Sequence, residues 1–130
     1  MTRRILLIED NEQNRYLATF LLERHGYRVE VAADGLAGVE AATASPPDLI
    51  LLDIQLPGMD GHAVARTLRG VPTLATVPII AVTSYAMVGD REKVLAAGCD
   101  GYLEKPIDPE TFVASIEGIA GFPRSERMLT

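Results

Sequence analysis

The stretch Leu49-Ile50-Leu51-Leu52-Asp53 sets four large apolar side chains in a row and ends them on a carboxylate. A run this short, apolar throughout and without alternation, is the pattern of a strand buried on both faces. The plan recurs along the chain. Arg4–Ile8 ends in Glu9-Asp10, residues 77–82 end in Thr83-Ser84, and the shorter run 101–103 ends in Glu104-Lys105-Pro106. Residues 27–32, rich in β-branched side chains after the stop signal of Gly26, form a fifth strand pattern that ends in small residues and carries no polar group.

Between these runs the period becomes helical. Leu17, Phe20 and Leu21, and later Phe112, Val113, Ile116 and Ile119, fall on single helical faces, and the pattern predicts helices near 12–25, 35–45, 61–69, 87–97 and 109–120. Asp34-Gly35 and Asp60-Gly61 mark starts, and Asp108 is the expected N-cap of a last helix with Pro109 at its first position. Gly26 and Gly98 mark stops. Strands apolar on both faces that alternate with helices call for a parallel sheet covered on both sides, an α/β sandwich. Pro46-Pro47, Pro57-Gly58 and residues 70–77 are expected as loops. Residues 1–120 then form one domain, and residues 121–130, with Pro, Ser and mixed charges, a frayed tail.

At 130 residues there is room for one domain with its own core, and 48% hydrophobic against 23% charged residues argues against disorder. Eighteen acidic and twelve basic side chains give a formal charge of −6, the wrong sign for a domain built to grip nucleic acid. The apolar runs fall far short of the ~20 residues that cross a bilayer, and Met1–Arg4 opens no signal-peptide pattern, so a cytoplasmic location without membrane insertion is expected. Cys99 is the single cysteine, which excludes an internal disulfide or a cysteine-based zinc site.

Strands of a parallel sheet all point one way, so their carboxyl ends converge on the edge where sheets of this class bind ligands. Glu9, Asp10, Asp53, Thr83 and Lys105 should meet there. Carboxylates that close repel by about 4 kcal/mol per pair at 4 Å and an effective dielectric of 20, so a compensating charge is required. A hard divalent cation, Mg2+ or Mn2+, suits oxygen ligands and keeps positions for an incoming phosphoryl group. A carboxylate beside such a metal and an ammonium can attack phosphorus, because both cations offset charge on the transferring oxygens. Asp53, alone at the end of its run, is the best placed nucleophile. Asp10, with Glu9 directly or through water, would hold the metal together with Asp53, the main-chain carbonyl of Gln55 would add a ligand, and Lys105 and Thr83 would hold phosphoryl oxygens.

Ile8-Glu9-Asp10-Asn11, the run from Leu51 through Asp53-Ile54-Gln55-Leu56-Pro57-Gly58 to Gly61, Ile80-Ala81-Val82-Thr83, and Gly101-Tyr102-Leu103-Glu104-Lys105-Pro106 resemble, in order and spacing, the receiver domain of two-component response regulators. The resemblance covers roughly residues 3 to 120. Glu-Asp-Asn-Glu at 9–12 and Ala86-Met87-Val88-Gly89-Asp90 make the chain most similar to stand-alone receivers of the DivK type. The resemblance implies a doubly wound, flavodoxin-like sheet of order 2-1-3-4-5 flanked by five helices. It implies that Asp53 accepts a phosphoryl group from a phosphohistidine on a histidine kinase or histidine phosphotransfer protein. It further implies that Thr83 moves toward the new phosphate, that Tyr102 turns inward, and that downstream proteins read the fourth helix, fifth strand and fifth helix. A cis bond is expected at Lys105-Pro106. Glu9 replaces the aspartate many receivers carry first, and Gln55 and Tyr85 lie where the family tunes water access to the acyl phosphate, with a bulky Tyr85 expected to shield it. Gln13, Asn14 and Leu17 on the first helix are a candidate kinase-contact face.

Plainer readings stand beside these. Glu9-Asp10 is also what a solvated strand end looks like, Lys105 a surface lysine before a turn, Thr83 an ordinary strand residue, and Tyr102 core filler. His25 and His62 sit where capping or surface residues fall. Among rival functions, the chain could be the receiver module of a larger hybrid kinase or regulator. An aspartate-nucleophile phosphatase would want a second aspartate at position 55, where Gln55 stands, and a flavodoxin-like electron carrier would want a Ser/Thr/Gly-rich loop where Asn11-Glu12-Gln13-Asn14 stands.

Overall fold

The computed structural model of the chain describes residues 2–84 and 89–126. In chain order the elements are β1 (Arg4–Ile8), α1 (Glu12–Arg24), β2 (Arg28–Ala32), α2 (Gly35–Ala44), β3 (Leu49–Asp53), α3 (Gly61–Arg69), a 3-10 turn (Pro72–Leu74), β4 (Ile79–Thr83), α4 (Asp90–Ala96), β5 (Gly101–Glu104) and α5 (Phe112–Ala120). The five strands form one sheet in the order β2-β1-β3-β4-β5, every neighbouring pair parallel. This is the doubly wound arrangement that the sequence resemblance implies.

Alternation along the central strands divides the core in two. Leu6, Ile8, Ile50, Leu52, Ile79 and Ala81 face one side, where Ala42 of α2 and Val64 and Leu68 of α3 meet them. Ile5, Leu7, Leu49, Leu51 and Ile80 face the other, against Ala18 and Leu22 of α1 and Phe112, Val113 and Ile116 of α5. All five residues of β3 and of β4 are buried. That explains the absence of polar alternation in their sequences, and burial of each large side chain contributes about 1.5–3 kcal/mol. The core therefore holds the carboxyl ends of β1, β3 and β4 in fixed register, Ile8 beside Leu52 and Asp53 beside Val82.

Helix starts follow local chemistry. Asn11, Asp34 and Asp60 each accept a hydrogen bond from a backbone N–H of the first turn, from Asn14, Ala37 and His62 respectively. The expected start of the last helix needs correction. The Asp108 carboxylate accepts from the Glu110 amide and its carbonyl from Thr111 and Phe112, so residues 109–111 form a turn and α5 begins at Phe112. α4 begins at Asp90 behind Gly89, whose φ of 92° lies in the left-handed region. Residues 87 and 88 of the expected fourth helix, and Tyr85, lie outside the described residues. The loop expected at 70–77 contains the 3-10 turn. The Lys105–Pro106 bond is cis, as the resemblance implies.

The expected frayed tail is packed as far as Ser125. Phe122 stacks on Tyr27 with ring centroids 6.3 Å apart, the Arg3 guanidinium sits 4.5 Å from the Phe122 centroid, and the Ser125 amide donates to Glu117 at 3.0 Å.

Candidate functional site

β1 delivers Glu9 and Asp10 into the short loop before α1. The Glu9 amide still donates to Ala32 of β2 at 3.0 Å, and Arg15, one turn into α1, donates to the carbonyls of Glu9 and Asp10 at 3.3 and 3.0 Å. The loop is thereby fixed between strand and helix. Asp53 is the last residue of β3, and the Gln55 amide folds back to donate to its Oδ1 at 2.9 Å. The chain beyond returns at Gly61, whose amide donates to the Ile54 carbonyl at 3.2 Å. A Cβ at position 61 would lie 2.4 Å from the Ile54 Cα, so glycine is required for this close approach. β5 leads to Lys105, whose amide donates to the Thr83 carbonyl at 2.8 Å.

The side chains meet where the strand ends converge. Lys105 Nζ lies 3.0 Å from Glu9 Oε1 and 3.2 Å from Asp53 Oδ2. Carboxylate oxygens of Glu9, Asp10 and Asp53 all lie within 4.8 Å of one another. Glu9 and Asp53 are each 3% exposed, Thr83 is 4% exposed, and Asp10 opens to solvent. Among the described residues one ammonium pairs with two of the three grouped carboxylates, which leaves the cluster short of positive charge. The Glu9 carboxyl is accordingly pushed up to about 7, first by burial and next by its hydrogen bond to Asp53, against the opposing pull of Lys105 and the Asn11 amide. Burial would lower Lys105, but its bonds and charge contacts with Glu9 and Asp53 outweigh that and hold its ammonium above the ordinary value. Hard oxygen donors, a deficit of positive charge and one open side make a donor set that fits a divalent cation such as Mg2+.

Other sequence candidates fall nearby or apart. Gln55 touches the cluster through its amide, and its side-chain Oε1 accepts from the Ser84 amide at 3.2 Å, a contact no sequence pattern suggests. Tyr102 lies on β5 beside Ala81, half-buried, and its hydroxyl donates to Glu104 Oε1 at 3.0 Å, a bond that raises its pKa. Gln13 is exposed on the first turn of α1, while Asn14 and Leu17 are half-buried. Neither histidine joins the cluster. His25 caps α1 and lies 2.9 Å from the Ser125 hydroxyl, and His62 pairs with Asp60 at 3.0 Å. Arg15 carries no signal in the sequence, because its role rests on main-chain carbonyls that leave no mark in residue type.

A family model of the response regulator receiver domain matches residues 5–117, strand β1 through α5. The chain belongs to the response regulator receiver family. It is 40% identical over 121 residues to the polar-differentiation response regulator DivK of Brucella ovis, covering 93% of this chain and 98% of that one. Among solved structures, the receiver domain of a sensor histidine kinase from Pseudomonas aeruginosa, determined with a magnesium ion coordinated in its active-site cleft, is 38% identical. The match has a TM-score of 0.84 and covers 93% of this chain and 99% of that one. The chemotaxis protein CheY4 of Vibrio cholerae is 27% identical with a TM-score of 0.87, over 92% and 99% of the two chains. The receiver resemblance read from the four motifs is thus borne out, as is the DivK likeness. Among the described residues no helix is long and apolar enough to cross a membrane.

Proposed function

We propose that this receiver works as a phosphorylation-controlled switch in which Asp53 accepts a phosphoryl group from a phosphohistidine on a histidine kinase or histidine phosphotransfer protein. The observation that carries the reading is the placement of Lys105 Nζ between Glu9 and Asp53, at 3.0 and 3.2 Å, beside the three grouped carboxylates. An Asp53 oxygen forms the new bond to phosphorus as the P–N bond breaks, and the electron pair of that bond returns to the imidazole. The Gln55 amide orients the attacking carboxylate, and the Lys105 ammonium offsets charge on the phosphoryl oxygens. Asp10, Glu9, Asp53 and the main-chain carbonyl of Gln55 are the residues that would hold Mg2+ or Mn2+. When bound, that ion supplies further charge neutralisation at the phosphoryl group.

The switch follows from added charge. A phosphoryl group on Asp53 brings about −1.5 to −2 units of charge and three acceptor oxygens to the end of β3. Thr83, one register step beyond Val82, is the hydroxyl we assign to bind it, and Tyr102 is the side chain we assign to turn inward when β4 and its following loop shift. α4, β5 and α5 then form the surface read by a downstream protein, and Gln13, Asn14 and Leu17 the face offered to the kinase. The net charge of −6 supports action through protein partners and not through direct nucleic-acid binding.

The test is incubation with acetyl phosphate or a phosphorylated kinase, with and without Mg2+, followed by intact mass. Wild type gains one phosphoryl mass only with the metal, and Asp53→Asn gains none. Labelling of Asp53→Asn at the same site, or labelling that ignores the metal, overturns the reading.

A further inference from the structure

The contact between Gln55 and Ser84 joins the residues that follow β3 and β4. On one side, the Gln55 amide donates to Asp53 Oδ1 at 2.9 Å. On the other, the same residue's side-chain Oε1 accepts from the Ser84 amide at 3.2 Å. Asp53 pairs in register with Val82, and the Ile54 amide donates to the Val82 carbonyl at 3.1 Å, so Ser84 lies just past the strand end that faces the candidate acceptor. A backbone donor two residues past the register partner of the candidate acceptor is therefore occupied by a neutral amide oxygen.

We infer that the Gln55 side chain is a built-in brake on the switch: it holds the Ser84 N–H, just past the end of β4, in a bond that the phosphoryl group on Asp53 must displace. The inference rests on Asp53 being the acceptor. Hydrogen bonds to ionised acceptors are roughly twice as strong as neutral ones, so a phosphoryl oxygen outcompetes the glutamine oxygen for this donor. The exchange moves the residue after Thr83 away from Gln55 and toward the phosphoryl group. It links group transfer to movement of Ser84 at the end of β4 by one swap of hydrogen-bond partner. No covalent change is added to the transfer step itself.

This differs from shielding by bulk. A shield acts through the volume of residue 55, whereas a brake acts through its carbonyl oxygen, so Gln55→Met, which keeps the length and removes the acceptor, separates the two. Under the inference Gln55→Met and Gln55→Ala behave alike. Both take label from acetyl phosphate and Mg2+ faster than wild type, by the about two- to twelve-fold expected for loss of one neutral hydrogen bond. In 15N-labelled, unphosphorylated protein the Ser84 amide resonance shifts and its hydrogen exchange quickens in both variants, a readout independent of the phosphoryl donor. A Gln55→Met protein that labels at the wild-type rate, or whose Ser84 amide is unmoved, overturns the brake while leaving Asp53 as acceptor. Wild type that takes no label at Asp53 overturns the acceptor reading and the brake with it.

Discussion

Two glutamates, Glu9 and Glu117, are each 3% exposed and lie in opposite environments. Glu117, on α5, accepts from the Tyr27 hydroxyl at 2.5 Å and from the Ser125 amide at 3.0 Å. Burial alone would raise its pKa, but those donors outweigh burial and hold the carboxyl below its ordinary value, while the Tyr27 phenol is pushed up to about 12. Glu9 shares one ammonium with Asp53, accepts from the Asn11 amide, and is pushed up to about 7. Equal exposure thus accompanies opposite shifts, with Glu9 the more deeply desolvated carboxyl. The carboxylate that fastens the C-terminal segment accepts two hydrogen bonds on its Oε2, whereas the one in the candidate site is crowded by a second carboxylate. The structural carboxylate is stabilised by hydrogen bonds within the fold, and the site keeps a deficit that an incoming cation can fill.

The largest effect should come from removing the one charge both site carboxylates share. Lys105→Ala takes away the ammonium at 3.0 Å from Glu9 and 3.2 Å from Asp53. The rate of labelling by acetyl phosphate and Mg2+ is expected to fall about 100- to 1,000-fold, the usual cost of losing one preorganised donor at a reacting group. A rate within threefold of wild type would place the cluster's electrostatics outside the reaction.

The matching change at the other carboxylate should act on stability alone. Glu117→Ala leaves the buried Tyr27 hydroxyl and the Ser125 amide without this acceptor and releases the segment that carries Phe122. The expected loss is about 2–4 kcal/mol in a denaturant titration, with the labelling rate within twofold of wild type. A variant of unchanged stability would show that the Tyr27–Glu117–Ser125 bonds contribute little.

These two regions also mark what the sequence discloses. Asp53, Thr83 and Lys105 are legible because each ends an apolar run, and a parallel sheet carries all such ends to one edge. Glu117 is not, because its partners lie 90 residues before it and 8 after it. The Pro, Ser and charged residues around Ser125 have the composition of a loop, and no periodicity encodes a docked loop. Arg69 is hidden in the same way. Its guanidinium donates to the carbonyls of Leu74, Ala75, Val77 and Gly98 and to the Asp100 carboxylate, tying α3 to the entries of β4 and β5. In sequence it is only the basic last residue of a helix. The start of α5 departs from the sequence pattern for a related reason. Asp108-Pro109 is a sound helix-opening signal, yet the Asp108 side chain and carbonyl close a turn first, and helical geometry begins at Phe112.

The smallest predicted effect separates the two glutamates by sign. A folded-state pKa raised to about 7 means that, between Glu9's ordinary value of 4.5 and 7, the native protein binds more protons than the unfolded chain. Stability from this group therefore falls as pH rises through that window. Glu117 is lowered, so its contribution is present above its ordinary value and is lost as pH falls through the folded one. Glu9→Gln removes the first slope and leaves the second. Wild type should lose about 1–2 kcal/mol between pH 5 and pH 8 relative to Glu9→Gln, the open Asp10 side screening the remainder. Because a divalent cation and the Glu9 proton compete for the same charge deficit, Mg2+ should raise the wild-type melting temperature more at pH 8 than at pH 5.5. Parallel stability curves for wild type and Glu9→Gln, with an Mg2+ effect independent of pH, would mean that the Lys105 ammonium already balances the site and that no deficit distinguishes it from the Glu117 end.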